Sequence, residues 1–172
     1  MSKSDRRSRP RASVVGMFPF RLAGGRVEYL LLQRHAEEDL PLTWQPVYGR
    51  AKKKETALAG ALRELAEETG LAPLEVWQVD RIEVFFSMRV DRPTLTAVFC
   101  CRVAEDAAVR TSEEHQDHAW LSYEAALERL LWRNQRESLR CVREDIALPF
   151  VEGRPINPFL RVSVDGHGRR SG

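Results

Sequence analysis

Three carboxylates stand at the spacing that gathers them on one helical face: Glu64, Glu67 and Glu68, at i, i+3 and i+4. Like charges at those intervals destabilise an isolated helix by roughly 0.2 to 0.5 kcal/mol per pair, so a purely structural helix more usually interleaves a lysine. Arg63 adjoins the cluster, but the residues four places beyond Glu64 and Glu67 are Glu68 and Leu71. The expectation is an acidic stripe that is not neutralised locally. Convergent carboxylates suit a hard divalent cation, which keeps several waters and completes its shell with substrate phosphate oxygens. Such a cation offsets diphosphate charge and activates a bound water, the chemistry of anhydride hydrolysis. By spacing alone, the plainer reading is a solvated acidic face.

The carboxylates need a helix, and the pattern supplies one over about Glu55 to Thr69. Leu58, Ala61, Leu62 and Leu65 fall at i, i+3, i+4 and i+7, Gly70 fits the stop and Pro73 follows. The acidic stripe lies beside this apolar stripe, so it should edge a cleft. Before the helix, Ser13–Leu22 and Val27–Gln33 read as strands joined at Gly24-Gly25, and a short segment spans Trp44–Tyr48. After it come strands Val76–Met88 and Thr94–Val103 with a turn at Asp91-Arg92-Pro93, and a short strand Ala119–Leu121. Ser122 opens a helix over Tyr123–Leu131, and Asn134 with Glu137 resembles a capping box for a last helix to about Ala147. This order predicts a mixed α+β or α/β/α layered domain. It gives a flexible basic arm at 1–11, one domain at 12–150 and an extended tail at 151–172, with Gly166–Gly172 disordered.

Composition bounds the function. The chain has 172 residues and a net charge of +2, which does not by itself point to nucleic acid or a membrane surface. No apolar stretch reaches the ~18 residues of a membrane helix, and Pro19 interrupts the run that follows the basic start. Three cysteines, two adjacent in an apolar run, read as buried reduced thiols, which favours a cytoplasmic protein. Phe85 and Phe86 are adjacent in a strand and point to opposite faces, each more fitted to the core than to a ligand.

The segment Gly49–Leu71 resembles the Nudix box, G-x5-E-x7-R-E-U-x-E-E-x-G-U with U aliphatic. Gly49, Glu55, Arg63-Glu64-Leu65, Glu67-Glu68 and Gly70-Leu71 fill all its specified positions. With ordinary residue frequencies a chance match is on the order of 10⁻¹⁰ per starting position, which outweighs the solvated-face reading. The resemblance implies an α/β/α sandwich with a mixed sheet and the box as loop–helix–loop. It implies magnesium or manganese held by Glu64, Glu67 and Glu68, with a backbone carbonyl near Tyr48 or Gly49 as a further ligand. Arg63 and Glu55 would pair and hold the loop, and Glu64 would orient or deprotonate the attacking water. Glu114, before His115, resembles an acidic residue outside the box that completes the site in nucleoside-triphosphate pyrophosphohydrolases of the family. For His115 the plainer reading is an exposed or structural loop histidine.

Trp44-Gln45 and Trp132–Leu139 add a likeness to the dATP or dihydroneopterin triphosphate branch. The implied activity is pyrophosphohydrolase action on a (deoxy)nucleoside or pterin triphosphate, releasing pyrophosphate. The alternatives are dinucleoside polyphosphates or the 5′ triphosphate of RNA and, in another class, a nucleotide sensor without turnover. Partners would be a small nucleotide and at most a second copy of the chain, with neither nucleic acid nor membrane. Trp44 and Tyr48 could stack on a base, and Arg50, Lys52 and Lys54 could meet phosphates. The chain also departs from the family's pattern. The usual box opens Gly-Gly and carries an acid and a glycine in the spacer, where this chain has Tyr48, Lys52 and Lys54.

Overall fold

The computed structural model describes residues 11–163, so most of the basic arm and Gly166–Gly172 lie outside the described residues. Strands β1 (Val14–Ala23), β2 (Arg26–Arg34), β3 (Trp44–Gln45) and β4 (Val47–Arg50) precede helix α1 (Ala57–Thr69). Strands β5 (Glu75–Ser87), β6 (Arg92–Arg102) and β7 (His115–Leu121) follow, then α2 (Tyr123–Arg129) and α3 (Arg133–Val142). One π turn (Arg143–Ala147) continues α3 into α4 (Leu148–Val151), and β8 (Arg161–Val162) ends the order. The sheet runs β3-β2-β1-β6-β5-β8, with β4 added to β1 and β7 to β2. The pair β1–β6 is parallel and the other strand pairs are antiparallel, so the sheet is mixed as expected.

Strand alternation splits the core into two layers. Phe18, Phe20, Tyr29, Leu31, Val98 and Cys100 face α2, α3 and the π turn, through Ala126, Leu139, Val142 and Ile146. Their neighbours Val15, Met17, Leu30, Leu32, Phe99 and Cys101 face Ala61 and Leu65 of α1. Helices therefore cover both faces, which is the α/β/α sandwich. Pro19 sits in mid-strand without harm, because β1 pairs β4 through Val14–Met17 and β2 from Phe20 onward. Its missing N–H falls where β1 changes partners. Cys100 and Cys101 are buried free thiols, and Cys141 is half-buried.

Several expected boundaries move. The second turn lies at Met88–Asp91, so Arg92 and Pro93 belong to β6, opposite Ser87 and Phe86. The strand expected at Ala119–Leu121 begins at His115, since β2 offers partners along the whole segment. The segment expected at Trp44–Tyr48 divides at Pro46 into one strand on β2 and one on β1. The expected capping box does not form: Trp132 takes the cap position of α3 with no side-chain bond. Asn134 lies inside the helix and turns to β5, its amide donating to the Val84 carbonyl at 3.0 Å. Phe85 and Phe86 are both exposed rather than core, near the turn of the β5–β6 hairpin.

Candidate active site

Helix α1 starts at Thr56, whose hydroxyl accepts the Ala59 N–H at 3.1 Å, and ends at Gly70, which takes the left-handed conformation at φ 68°. Arg63 ties this helix to the loop before it. Its Nε and Nη2 grip the two oxygens of Glu55 at 2.9 and 3.0 Å, and Nη2 also donates to the Arg50 carbonyl at 3.0 Å. The Lys52 N–H adds a bond to Glu55 at 2.8 Å. The Arg63 bonds first, and that N–H second, hold the Glu55 carboxyl down at about 2. Arg63 Nη1 also reaches Glu64 at 2.8 Å and Glu67 at 2.9 Å. The expectation of an acidic stripe without local neutralisation is therefore corrected. Arg63 precedes Glu67 by four residues, and a cation four places before an acid pairs with it too, although the reverse order is the more favourable.

Glu64 sits directly on Gly49. A Cβ at that glycine would lie 1.9 Å from Glu64 Cδ and 2.2 Å from Oε1, so only glycine lets β4 receive the carboxylate. Glu67 is exposed, with Lys52 Nζ 3.7 Å away. Glu68 is only 4% exposed, and its Oε2 is buried without a hydrogen-bond partner among the described residues. Burial first, then the charges of Glu64 and Glu114, push its carboxyl up to about 9 against a weaker pull from Arg34. The loop carrying Glu114 is fastened to the end of α1: the Arg110 N–H donates to the Thr69 carbonyl and the Ser112 N–H to that of Glu68. Among the described residues no three acids converge as a closed cage. A buried carboxylate with an unpartnered oxygen and acidic neighbours is what a divalent cation would relieve, so the donor set fits magnesium or manganese.

The remaining expected residues divide between the sheet's faces. Lys52, Lys54 and Arg50 are exposed on the loop. Lys54 holds φ 72°, the conformation that a glycine at that place would adopt freely. Trp44 packs on the far core with the Arg129 guanidinium 4.5 Å over its ring. Tyr48 also points away from α1, edge-on to Phe18, and its hydroxyl donates to Glu83 at 2.7 Å. His115 opens β7 as a structural histidine rather than an exposed one. It is 3% exposed, 3.3 Å from Gln45 Nε2, and burial lowers its pKa to about 4. Glu83 escaped sequence reading, although a lone carboxylate within Ile82–Phe86 was its signal. A hollow lined by Trp77, Phe150, Arg154 and Ile156 lies by β8, and no box residue lines it.

Comparison with known proteins bears on the family and the fold. The model of the NUDIX domain family matches residues 9–141. An octanoyltransferase of Myxococcus xanthus is 33% identical over 119 residues, 68% of this chain and 32% of that protein, so the chain spans about a third of that relative. A bis(5′-nucleosyl)-tetraphosphatase (asymmetrical) of Mus musculus is 29% identical over 117 residues, 66% of this chain and 77% of that one. Among solved structures, an Ap4A hydrolase binary complex of C. elegans superposes with a TM-score of 0.67 at 24% identity, covering 78% of this chain and 96% of that one. The dihydroneopterin triphosphate pyrophosphohydrolase of E. coli gives 0.60 at 20% identity, covering 76% and 96%.

Proposed function

The chain belongs to the NUDIX domain family, and from that premise we propose that it hydrolyses a nucleoside-diphosphate-linked substrate with magnesium or manganese. The observation that carries the proposal is Glu68: a buried carboxyl with an unpartnered oxygen, flanked by Glu64 and Glu114. Glu64, Glu67 and Glu68 would hold the metal, with Glu114 and the Gly49 carbonyl beside them. A cation bound there would offset diphosphate charge and acidify a water. Glu64, fixed between Gly49 and Arg63, orients that water and takes its proton. Water attacks one phosphorus, the bond to the leaving pyrophosphate breaks, and the nucleoside or pterin monophosphate remains. Arg63 and Glu55 hold the loop rather than react, and the exposed Arg50, Lys52 and Lys54 meet phosphate oxygens as cations.

The first reading is a (deoxy)nucleoside or pterin triphosphate. A second reading, a dinucleoside polyphosphate, is favoured by the likeness to the Mus musculus tetraphosphatase. The test is chromatographic identification of the nucleotide products, with phosphate and pyrophosphate release, across nucleoside triphosphates, dihydroneopterin triphosphate, dinucleoside polyphosphates (which split into two nucleotides) and triphosphorylated RNA. It runs with and without metal, beside Glu67→Gln. Metal-dependent turnover lost in the variant supports the enzyme and ranks the substrates. Nucleotide binding without turnover of any of them would make the domain a sensor instead.

A further inference from the structure

Glu83 belongs to no step described so far, yet it is a carboxylate 3% exposed inside the domain. Burying a carboxylate is costly unless hydrogen bonds compensate, and cohesion alone would be served more cheaply by an apolar side chain. Its Oε1 accepts two short bonds, from Tyr48 Oη of β4 and Ser138 Oγ of α3, each at 2.7 Å. Glu83 thus joins β5, β4 and α3 through one oxygen.

The consequence lies on the other face of β4. Side chains alternate along a strand, so Tyr48 points to α3 while Gly49 faces α1 and receives Glu64. Among the described residues strand β4 pairs β1 alone, and its outer edge meets no other strand. Its height over α1 is set by the β1 pairing, by the Arg63 bond to the Arg50 carbonyl and by what grips Tyr48. Gly16, opposite Tyr48 on β1, makes room for the ring: a Cβ there would meet Tyr48 Cε1 at 3.1 Å. Where the box usually opens with two glycines, this chain has instead a tyrosine seated on a glycine and tied to a buried acid.

We propose that Glu83 is a positioning residue for the metal-binding carboxylates, acting through Tyr48 on the Gly49 seat of Glu64. Ser138 holds Glu83 in turn and so couples α3 to the site. The inference rests on the proposed metal-dependent function, and its test separates the two. Full-length protein stripped of metal is titrated with Mn²⁺, and free Mn²⁺ is read by electron paramagnetic resonance beside a thermal melt. Tyr48→Phe keeps the ring and removes the hydroxyl, and should weaken Mn²⁺ binding about tenfold, the scale seen for partners of metal ligands. Glu83→Gln still presents an oxygen to both hydroxyls and should keep wild-type affinity, whereas Glu83→Leu should match Tyr48→Phe. Ser138→Ala leaves Tyr48 whole and should weaken binding in the same direction, by less.

Wild-type Mn²⁺ affinity in Tyr48→Phe and Ser138→Ala, with only the melt lowered, would mean that the network is ordinary packing and overturn the proposal. Glu64→Gln serves as the control. If it too binds Mn²⁺ like the wild type, the metal reading of the box has failed, and the positioning role falls with it.

Discussion

Replacing Gly49 with alanine should leave the fold intact and ruin the site. Gly49 is not in the left-handed region, so alanine can follow the same backbone. The added Cβ would stand 1.9 Å from Glu64 Cδ and 2.3 Å from Cγ. Non-bonded carbons rest at about 3.5 to 4.0 Å, so the carboxylate must retreat by roughly 1.5 Å. That retreat breaks the 2.8 Å bond from Arg63. Arg63 keeps Glu55, so the stability cost should be no more than about 1 kcal/mol. Misplacement of a reacting group by 1 Å can cost about 100-fold in rate, close to 2.7 kcal/mol of barrier. Gly49→Ala should therefore lower kcat/KM at least about 100-fold while melting within a few degrees of the wild type. The assay is nucleotide product formation, read by chromatography, at saturating magnesium on the best substrate of the panel, beside a circular dichroism melt. Activity of Gly49→Ala within a few fold of wild type would refute the reasoning, since it would mean that the position of Glu64 does not govern the rate.

Glu68 should destabilise the metal-free protein as pH rises. Its folded pKa of about 9 lies above the ordinary 4.5, so the folded state binds more protons between those values and stability falls across that window, by on the order of 3 kcal/mol at pH 7. Glu68→Gln should therefore melt higher than wild type in chelator at pH 8 while losing turnover; equal melting points would contradict the burial argument. His115 acts in the opposite sense. Its folded pKa of about 4 lies below 6.5, so its contribution is complete above pH 6.5 and is lost towards pH 4, by up to about 3 kcal/mol. Urea unfolding of His115→Gln should show a flatter dependence on pH in that window than wild type. Lys54→Gly relieves a left-handed side-chain residue and should raise the urea midpoint by the equivalent of up to about 1 kcal/mol; a fall of that size would show that the Lys54 side chain is itself holding the loop.

The elements that carry a strong local signal were legible in the sequence. Gly24-Gly25 sets the first hairpin, and Gly70 ends α1, each at positive φ. Ser122 caps α2 as read, its hydroxyl accepting the Ala125 N–H. Sequence failed where tertiary partners decide. Asn134 and Glu137 have the spacing of a capping box, but β5 competes for Asn134 with the Val84 carbonyl, and the helix starts without it. Phe85 and Phe86 look like core residues until what covers that end of the hairpin is known, which no local pattern encodes.

The site divides along the same line. Glu64, Glu67 and Glu68 are legible because helical geometry alone places them together. The gradient among them is not, since Glu67 turns to solvent while Glu68 turns inward, towards the chain around Arg34 and the loop at Arg110–Glu114. That gradient has chemical weight: three equally exposed glutamates would repel and be screened, whereas one buried acid keeps a high affinity for either a proton or a cation. The Tyr48–Glu83–Ser138 link is still less legible, because its members are 35 and 55 residues apart and meet only when β4, β5 and α3 stack. Glycine at 16 and tyrosine at 48 is a compensated exchange of volume across two strands, and each residue alone looks like an accident. If that exchange sets the height of β4, then Gly16→Ala should disturb Mn²⁺ binding in the same direction as Tyr48→Phe, although residue 16 touches no box carboxylate. Unchanged binding in Gly16→Ala, with Tyr48 still tied to Glu83, would show that β4 tolerates the shift and that Gly49 alone determines where Glu64 sits.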